Sequence, residues 1–148
     1  MQDIISDINE YCQNHSTIFD PVLLDIERAT FLRTLAPRML SGQLQGSLLT
    51  MISKIKQPKN ILEIGTFTGY SAICLAHGLD PKGTLITIEC DAENALIASE
   101  FISLSGFADS IHLMVGDAKS IIPKLDIIFD LVFIDADKEA YSQYFDLV

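Results

Sequence analysis

Asn60-Ile61-Leu62-Glu63-Ile64-Gly65-Thr66-Phe67-Thr68-Gly69-Tyr70-Ser71 is the stretch that decides the fold. A short apolar run, Ile61 to Ile64, breaks on Gly65 and within a few residues becomes a helix-length segment, Tyr70 to Leu79. Strand, glycine turn and helix in that order open a parallel sheet covered by helices. The pattern recurs downstream. Strands are expected at Thr84 to Ile88, Ile111 to Val115 and Asp130 to Ile134, with helices at Ala92 to Leu104 and Ala118 to Leu125 between them. Gly106 serves the first of these helices as a C-cap. The expected fold class is α/β, a doubly wound, mostly parallel sheet.

Upstream of Asn60 the chain reads as helices. Ile4, Ile5, Ile8, Tyr11 and Cys12 recur at helical spacing, and Asp20-Pro21 places a cap and a first-turn proline ahead of a helix from Val22 to Leu35. A third helix, Gln43 to Ile55, carries Leu44, Leu48, Met51, Ile52 and Ile55 along one face and ends before Pro58. Residues 1–57 thus form a helical preamble to an α/β part over residues 58–148, within a single domain. The chain stops in mid-pattern on the amphipathic Tyr141-Ser142-Gln143-Tyr144-Phe145 segment, so the final strands are expected to be missing and the chain to be a fragment.

Composition narrows the function classes. The 148 residues are 49% hydrophobic and carry a net charge of -10, enough for one core and unfavourable for phosphate backbones or anionic lipids. Neither nucleic acid nor membrane is an expected partner, and the acidity suits a cationic ligand. The N-terminal residues carry acids where a secretory leader carries a basic patch, so a cytoplasmic location is expected. Cys12, Cys74 and Cys90 are scattered and odd in number, which points to reduced packing residues and not to a disulfide framework. His15, His77 and His112 lie on separate elements and read as structural or surface residues.

In a doubly wound sheet, ligands bind beyond the carboxyl ends of the strands. A dinucleotide loop needs a second glycine where the pyrophosphate approaches the backbone, and here that place holds Phe67. A bulky ring there obstructs a pyrophosphate but packs against a ligand without phosphates, such as S-adenosylmethionine. Glu89, ending the second strand, can accept from both ribose hydroxyls, a feature shared with NAD sites. Val115-Gly116-Asp117-Ala118 ends the third strand and fits an adenine edge or a plain turn with a helix cap. The fourth strand delivers Asp135-Ala136-Asp137-Lys138. Read alone that run fits a helix cap with solvated charges. Placed in the same crevice as the glycine loop, it offers a hard oxygen ligand for Mg²⁺ and a nearby base. Ser71 lacks the second glycine of a nucleophile elbow, which disfavours hydrolysis. Tyr141 and Tyr144 share a helix face and are expected to pack on the sheet.

The glycine loop with Tyr70 and Ser71, followed by Val132-Phe133-Ile134-Asp135-Ala136-Asp137-Lys138 and by Tyr141 and Tyr144, resembles the metal-dependent O-methyltransferases of the catechol and caffeoyl-CoA type. The resemblance runs from about Ser41 to the last residue. It implies a Rossmann-like fold, S-adenosylmethionine as cofactor, Mg²⁺ or another divalent cation, a small aromatic hydroxyl acceptor and a homodimer. Residue by residue it implies that Gly65 and Thr66 line the methionine end of the cofactor, with Phe67 as the ring that packs against the ligand. Glu63 and Ser71 would hold its amino and carboxylate groups, with Ser41 at the pocket edge. Glu89 would bind the ribose, Asp117 and Ala118 the adenine, and Asp137 would also touch the cofactor. Asp135 would be a metal ligand and Lys138 the general base, a role that asks of a lysine a lowered pKa. The resemblance further implies about sixty more residues carrying the remaining metal ligands, which do not follow Val148. Two other readings stand beside it, an NAD-dependent oxidoreductase and a non-catalytic adenosyl-binding module.

Overall fold

A computed structural model of the chain describes residues 2–16 and 20–148, with the side chains of residues 2–6 and 9 outside the description. Four parallel strands, β1 (Asn60–Ile64), β2 (Thr84–Glu89), β3 (Ile111–Val115) and β4 (Leu131–Ile134), lie in the order β3-β2-β1-β4. Among the described residues seven α-helices accompany them: α1 (Gln2–Asn14), α2 (Val22–Arg33), α3 (Gly42–Lys56), α4 (Tyr70–Ala76), α5 (Ala92–Leu104), α6 (Ala118–Ile121) and α7 (Tyr141–Leu147). The sheet is doubly wound, as the alternating runs imply.

Each strand splits its residues between two cores by the period-two alternation of a pleated sheet. Ile61, Leu85 and Ile111 face α2, α4 and α5 in one core, while Leu62, Ile64 and Ile88 face α6 and α7 in the other, where Tyr141 and Tyr144 also pack. The chain steps from β1 outward to β2 and β3, then returns to place β4 on the opposite side of β1. The strand order therefore reverses between β1 and β4, and the crevice beyond their carboxyl ends is where such a sheet binds ligands.

Several boundaries differ from expectation, each for a local reason. Asp130 does not join β4; its carboxylate accepts from the N–H groups of Lys59 (2.8 Å) and Asn60 (3.0 Å) and clamps the start of β1. The helix expected over Ala118 to Leu125 tightens to a 3₁₀ turn at Ile122–Lys124, because Pro123 has no N–H for the helical ladder. Helix α2 ends at Arg33 and not at Leu35, with Thr34 extended. Its entry holds the expected cap, Asp20 accepting from the N–H of Val22 at 3.0 Å. Gly106 adopts φ +78 just past α5, as a C-terminal glycine should.

The larger correction concerns α3. Leu44, Leu48, Met51, Ile52 and Ile55, the apolar face read from the spacing, are all exposed, while the helix buries Gly46, Leu49, Thr50 and Ser53 against α4. Thr50 and Ser53 donate their hydroxyls to the carbonyls of Cys74 (3.0 Å) and Leu75 (2.6 Å), the end of α4 where carbonyls lack helical partners. A Cβ on Gly46 would come within 2.8 Å of both Tyr70 and Cys74, so only glycine permits the approach. In the preamble, Ile8 and Tyr11 are exposed, and the side chains of Ile4 and Ile5 lie outside the described residues. Cys74 is buried, but Cys90 is exposed and lines the crevice, so it is not the packing residue that its sequence context suggests.

Candidate functional site

The crevice at the strand-order reversal holds two adjoining cavities of about 260 and 170 Å³, together within the scale of small-molecule sites. Ser41, Thr66, Ser71 and Lys138 line the first. Glu89, Asp117, Ala118 and Asp137 line the second, and Gly65, Phe67 and Asp135 line both. Eleven of the residues singled out from sequence therefore converge on one cleft. Glu63 is the exception: it is fully buried and lies beneath the floor.

Gly65 is where the two walls meet. It sits at φ +100, and a Cβ there would fall 2.3 Å from the carbonyl oxygen of Asp135. The β1 turn and the β4 tip can approach this closely only because the residue has no side chain. Phe67 also adopts a left-handed conformation, φ +51, sparsely populated for a bulky residue and sustained only by surrounding bonds. Those bonds are present. The Phe67 N–H donates to Glu89 Oε2 at 2.7 Å, and the N–H groups of Gly65 and Thr66 both reach the carbonyl of Ile88. The Thr66 side chain bonds Thr87, and the Thr68 hydroxyl bonds Thr30 of α2 at 2.8 Å. The loop is held from β2 on one side and from the preamble on the other.

Two carboxylates are set deep on the β1–β2 side. Glu89 accepts from the N–H of Phe67 at Oε2 and from the N–H of Asp91 (2.9 Å) and the Cys90 thiol (3.7 Å) at Oε1, which leaves Oε2 the freer oxygen for a ligand's hydroxyls. Burial pushes the Glu63 carboxyl up to about 7, partly offset by the hydroxyls of Ser71 and Thr87 and reinforced by the nearby charges of Asp135 and Glu89. Thr87 donates to Glu63 Oε2 at 2.6 Å, whereas Oε1 has no hydrogen-bond partner. An orphaned, fully buried carboxylate oxygen beneath Ser71 of the cleft lining fits a ligand whose ammonium reaches it through that hydroxyl.

The β4 side is different in kind. Asp135, Asp137 and Lys138 are exposed at the rim. Asp137 accepts from the N–H of Glu139 (3.1 Å) and Asp117 from that of Lys119 (3.2 Å), so both serve as caps while also lining the cleft. Among the described residues no three His, Cys, Asp or Glu side chains gather as a metal cluster. At this rim Asp135 offers one hard oxygen. Thr30, Thr68, Thr87 and Asp130 were invisible to motif reading because their partners lie far away in sequence.

A cleft opening at the switch point of a parallel sheet, floored by a glycine loop and walled by a carboxylate that ends β2, defines an α/β protein of the adenosyl- or dinucleotide-binding class. More particularly, the chain belongs to the O-methyltransferase family, whose model matches residues 13–148. A catechol O-methyltransferase of Niastella koreensis is 41% identical over 105 residues, 68% of this chain and 48% of the relative. The SAH-bound methyltransferase PaMTH1 of Podospora anserina superposes with a TM-score of 0.91 at 28% identity, over 98% of this chain and 62% of that one. The O-methyltransferase TomG of Streptomyces achromogenes, in complex with SAM, gives a TM-score of 0.88 at 35% identity, over 95% and 65%. The chain spans about half the length of the curated relatives it matches. No helix among the described residues is long and apolar enough to cross a membrane.

Proposed function

We propose that the chain forms the cofactor-binding part of an S-adenosylmethionine-dependent O-methyltransferase that methylates a hydroxyl of a small aromatic acceptor of catechol or caffeoyl type. The observation that carries the proposal is the convergence of the Gly65–Phe67 loop, Glu89 and the Asp135–Lys138 run on one cleft. Family membership and solved relatives with SAM or SAH bound support it. The NAD reading is disfavoured by Phe67 in the place of the pyrophosphate glycine, and by the orphaned Glu63 oxygen, for which a dinucleotide brings no ammonium.

When bound, the cofactor's sulfonium supplies an electrophilic methyl group for in-line attack by an acceptor oxygen. The chain's own residues bind and orient. Glu89 takes the ribose hydroxyls, and the Asp117–Ala118 turn borders the adenine. Ser41, Ser71 and the loop from Gly65 to Phe67 seat the amino-acid end, with the Glu63 carboxyl below. Lys138, at the rim beside Asp135, takes the acceptor proton, and Asp137 fixes the turn that carries it. Asp135 is the carboxylate these residues would give a divalent cation, beside water, the acceptor and the further protein ligands that the family resemblance implies. Holding donor and acceptor in near-attack geometry is the larger part of such catalysis.

Calorimetric titration with S-adenosylhomocysteine beside NAD⁺, each with and without Mg²⁺, tests the cofactor assignment. Binding of the adenosyl ligand alone is expected, and binding of NAD⁺ alone overturns the reading. Mass-spectrometric detection of a methylated catechol then separates an enzyme from a non-catalytic adenosyl-binding module, which would bind without turnover.

A further inference from the structure

Thr87 sits in β2 directly opposite Glu63 of β1 in the parallel register, and both are fully buried. A threonine hydroxyl carries one proton, and here it goes to Glu63 Oε2 at 2.6 Å. In the second bond, between the hydroxyls of Thr66 and Thr87, Thr66 is therefore the donor. The three side chains make a directed chain, Thr66 to Thr87 to Glu63, sealed from solvent. Its effect is asymmetric: Oε2 is satisfied, and rotation of the carboxyl would break the Thr87 bond, while Oε1 is left without a partner. Above it lies Ser71, a lining residue of the larger cavity whose hydroxyl favours the ionised form of Glu63.

We propose that Thr87 is a positioning residue of the cofactor site: by fixing one Glu63 oxygen it reserves the other for the Ser71 hydroxyl, whose oxygen then accepts from the ligand's ammonium. The same Thr87 hydroxyl anchors Thr66, so the carboxylate and the loop that seats the amino-acid end move as one unit. No motif marks Thr87, and it touches neither cavity. This inference rests on the adenosyl reading above and adds a residue to it.

The test compares two ligands that share the adenosyl thioether and differ at the amino-acid end, S-adenosylhomocysteine and 5′-methylthioadenosine, titrated calorimetrically into the full chain and its variants. Thr87→Val is expected to weaken S-adenosylhomocysteine by about tenfold or more and methylthioadenosine by less than about twofold, since only the former brings an ammonium to the Ser71 hydroxyl that the Glu63 carboxylate orients. Thr87→Ser restores the difference. If Thr87→Val does not fold, Thr87→Ala is measured with the same pair. Equal weakening of both ligands means that Thr87 only supports the sheet, and unchanged binding of both means that it does nothing for the site; either overturns the inference while leaving the adenosyl reading intact. If the wild-type chain binds neither ligand, the adenosyl reading itself falls and this inference with it.

Discussion

The two walls of the cleft are built on opposite principles. The β1–β2 wall is interior: Glu63, Thr66, Thr87 and Glu89 are buried, and their hydrogen bonds to neighbouring strands fix them before any ligand arrives. The β4 wall is exposed: among the described residues Asp135, Asp137 and Lys138 stand at the surface with a single backbone cap among them. A buried polar group must be satisfied and is thereby oriented, whereas an exposed charge is satisfied by water in many orientations. In the proposed reaction, the difference gives recognition to the first wall and leaves the second to be organised by what would bind there.

The largest expected effect comes from the residue that joins the walls. Gly65→Ala puts a methyl group 2.3 Å from the Asp135 carbonyl at a left-handed φ and should destabilise the chain by about 3 kcal/mol, abolishing adenosyl binding. Urea unfolding and calorimetry check this, and near-wild-type behaviour would mean that the walls are not in contact.

Next is Glu63→Gln, expected to weaken S-adenosylhomocysteine by about 10- to 100-fold, the scale of a hydrogen bond to a charged group. Stability should move the other way. Because burial raises the Glu63 carboxyl to about 7 from 4.5, the folded chain holds a proton that the unfolded chain has lost. This contribution is fully present below about pH 4.5 and is lost as pH rises toward and beyond 7. Relative to Glu63→Gln, the wild type should lose up to about 3 kcal/mol between pH 5 and 8, at roughly 1.4 kcal/mol per unit. Parallel curves for the two proteins would show that Glu63 does not titrate in this window.

Asp137→Ala removes a cap and should cost about 1 kcal/mol by thermal or urea unfolding. The smallest effect on stability and adenosyl binding belongs to Lys138→Ala, within about 0.5 kcal/mol, because the side chain is exposed and makes no ion pair among the described residues. Its methyl transfer should nevertheless fall by about 100-fold or more if Lys138 is the base. A Lys138→Ala variant that binds poorly would erase the contrast between the walls.

How much of this was legible beforehand follows the same divide between local and distant interactions. The strands announced themselves through apolar runs, and the Gly65–Gly69 turn through residues whose conformational needs are local. Helix α3 defeats periodicity, which equates apolar with buried: its buried face is Gly46, Leu49, Thr50 and Ser53, the last two hydroxyls satisfying the carbonyl end of α4. The apolar stripe of Leu44, Leu48, Met51, Ile52 and Ile55 points outward instead. The braces of the cofactor loop escaped for a different reason. Thr30 with Thr68, and Thr66 with Thr87, pair across 38 and 21 residues, and nothing local distinguishes a threonine so employed from one on a surface strand.

The carboxylates that surround the cleft bear on turnover as well as on recognition. Glu89, Asp117, Asp135 and Asp137, with Glu63 beneath, face one basic side chain among the described lining residues, Lys138. In the proposed reaction the donor enters with a sulfonium charge and leaves as a neutral thioether, so the field that draws it in loses its hold at the moment the methyl group departs. Product escape is thereby written into the sign of the site, and added salt should narrow the gap between the residence times of the two forms by screening the exposed carboxylates first.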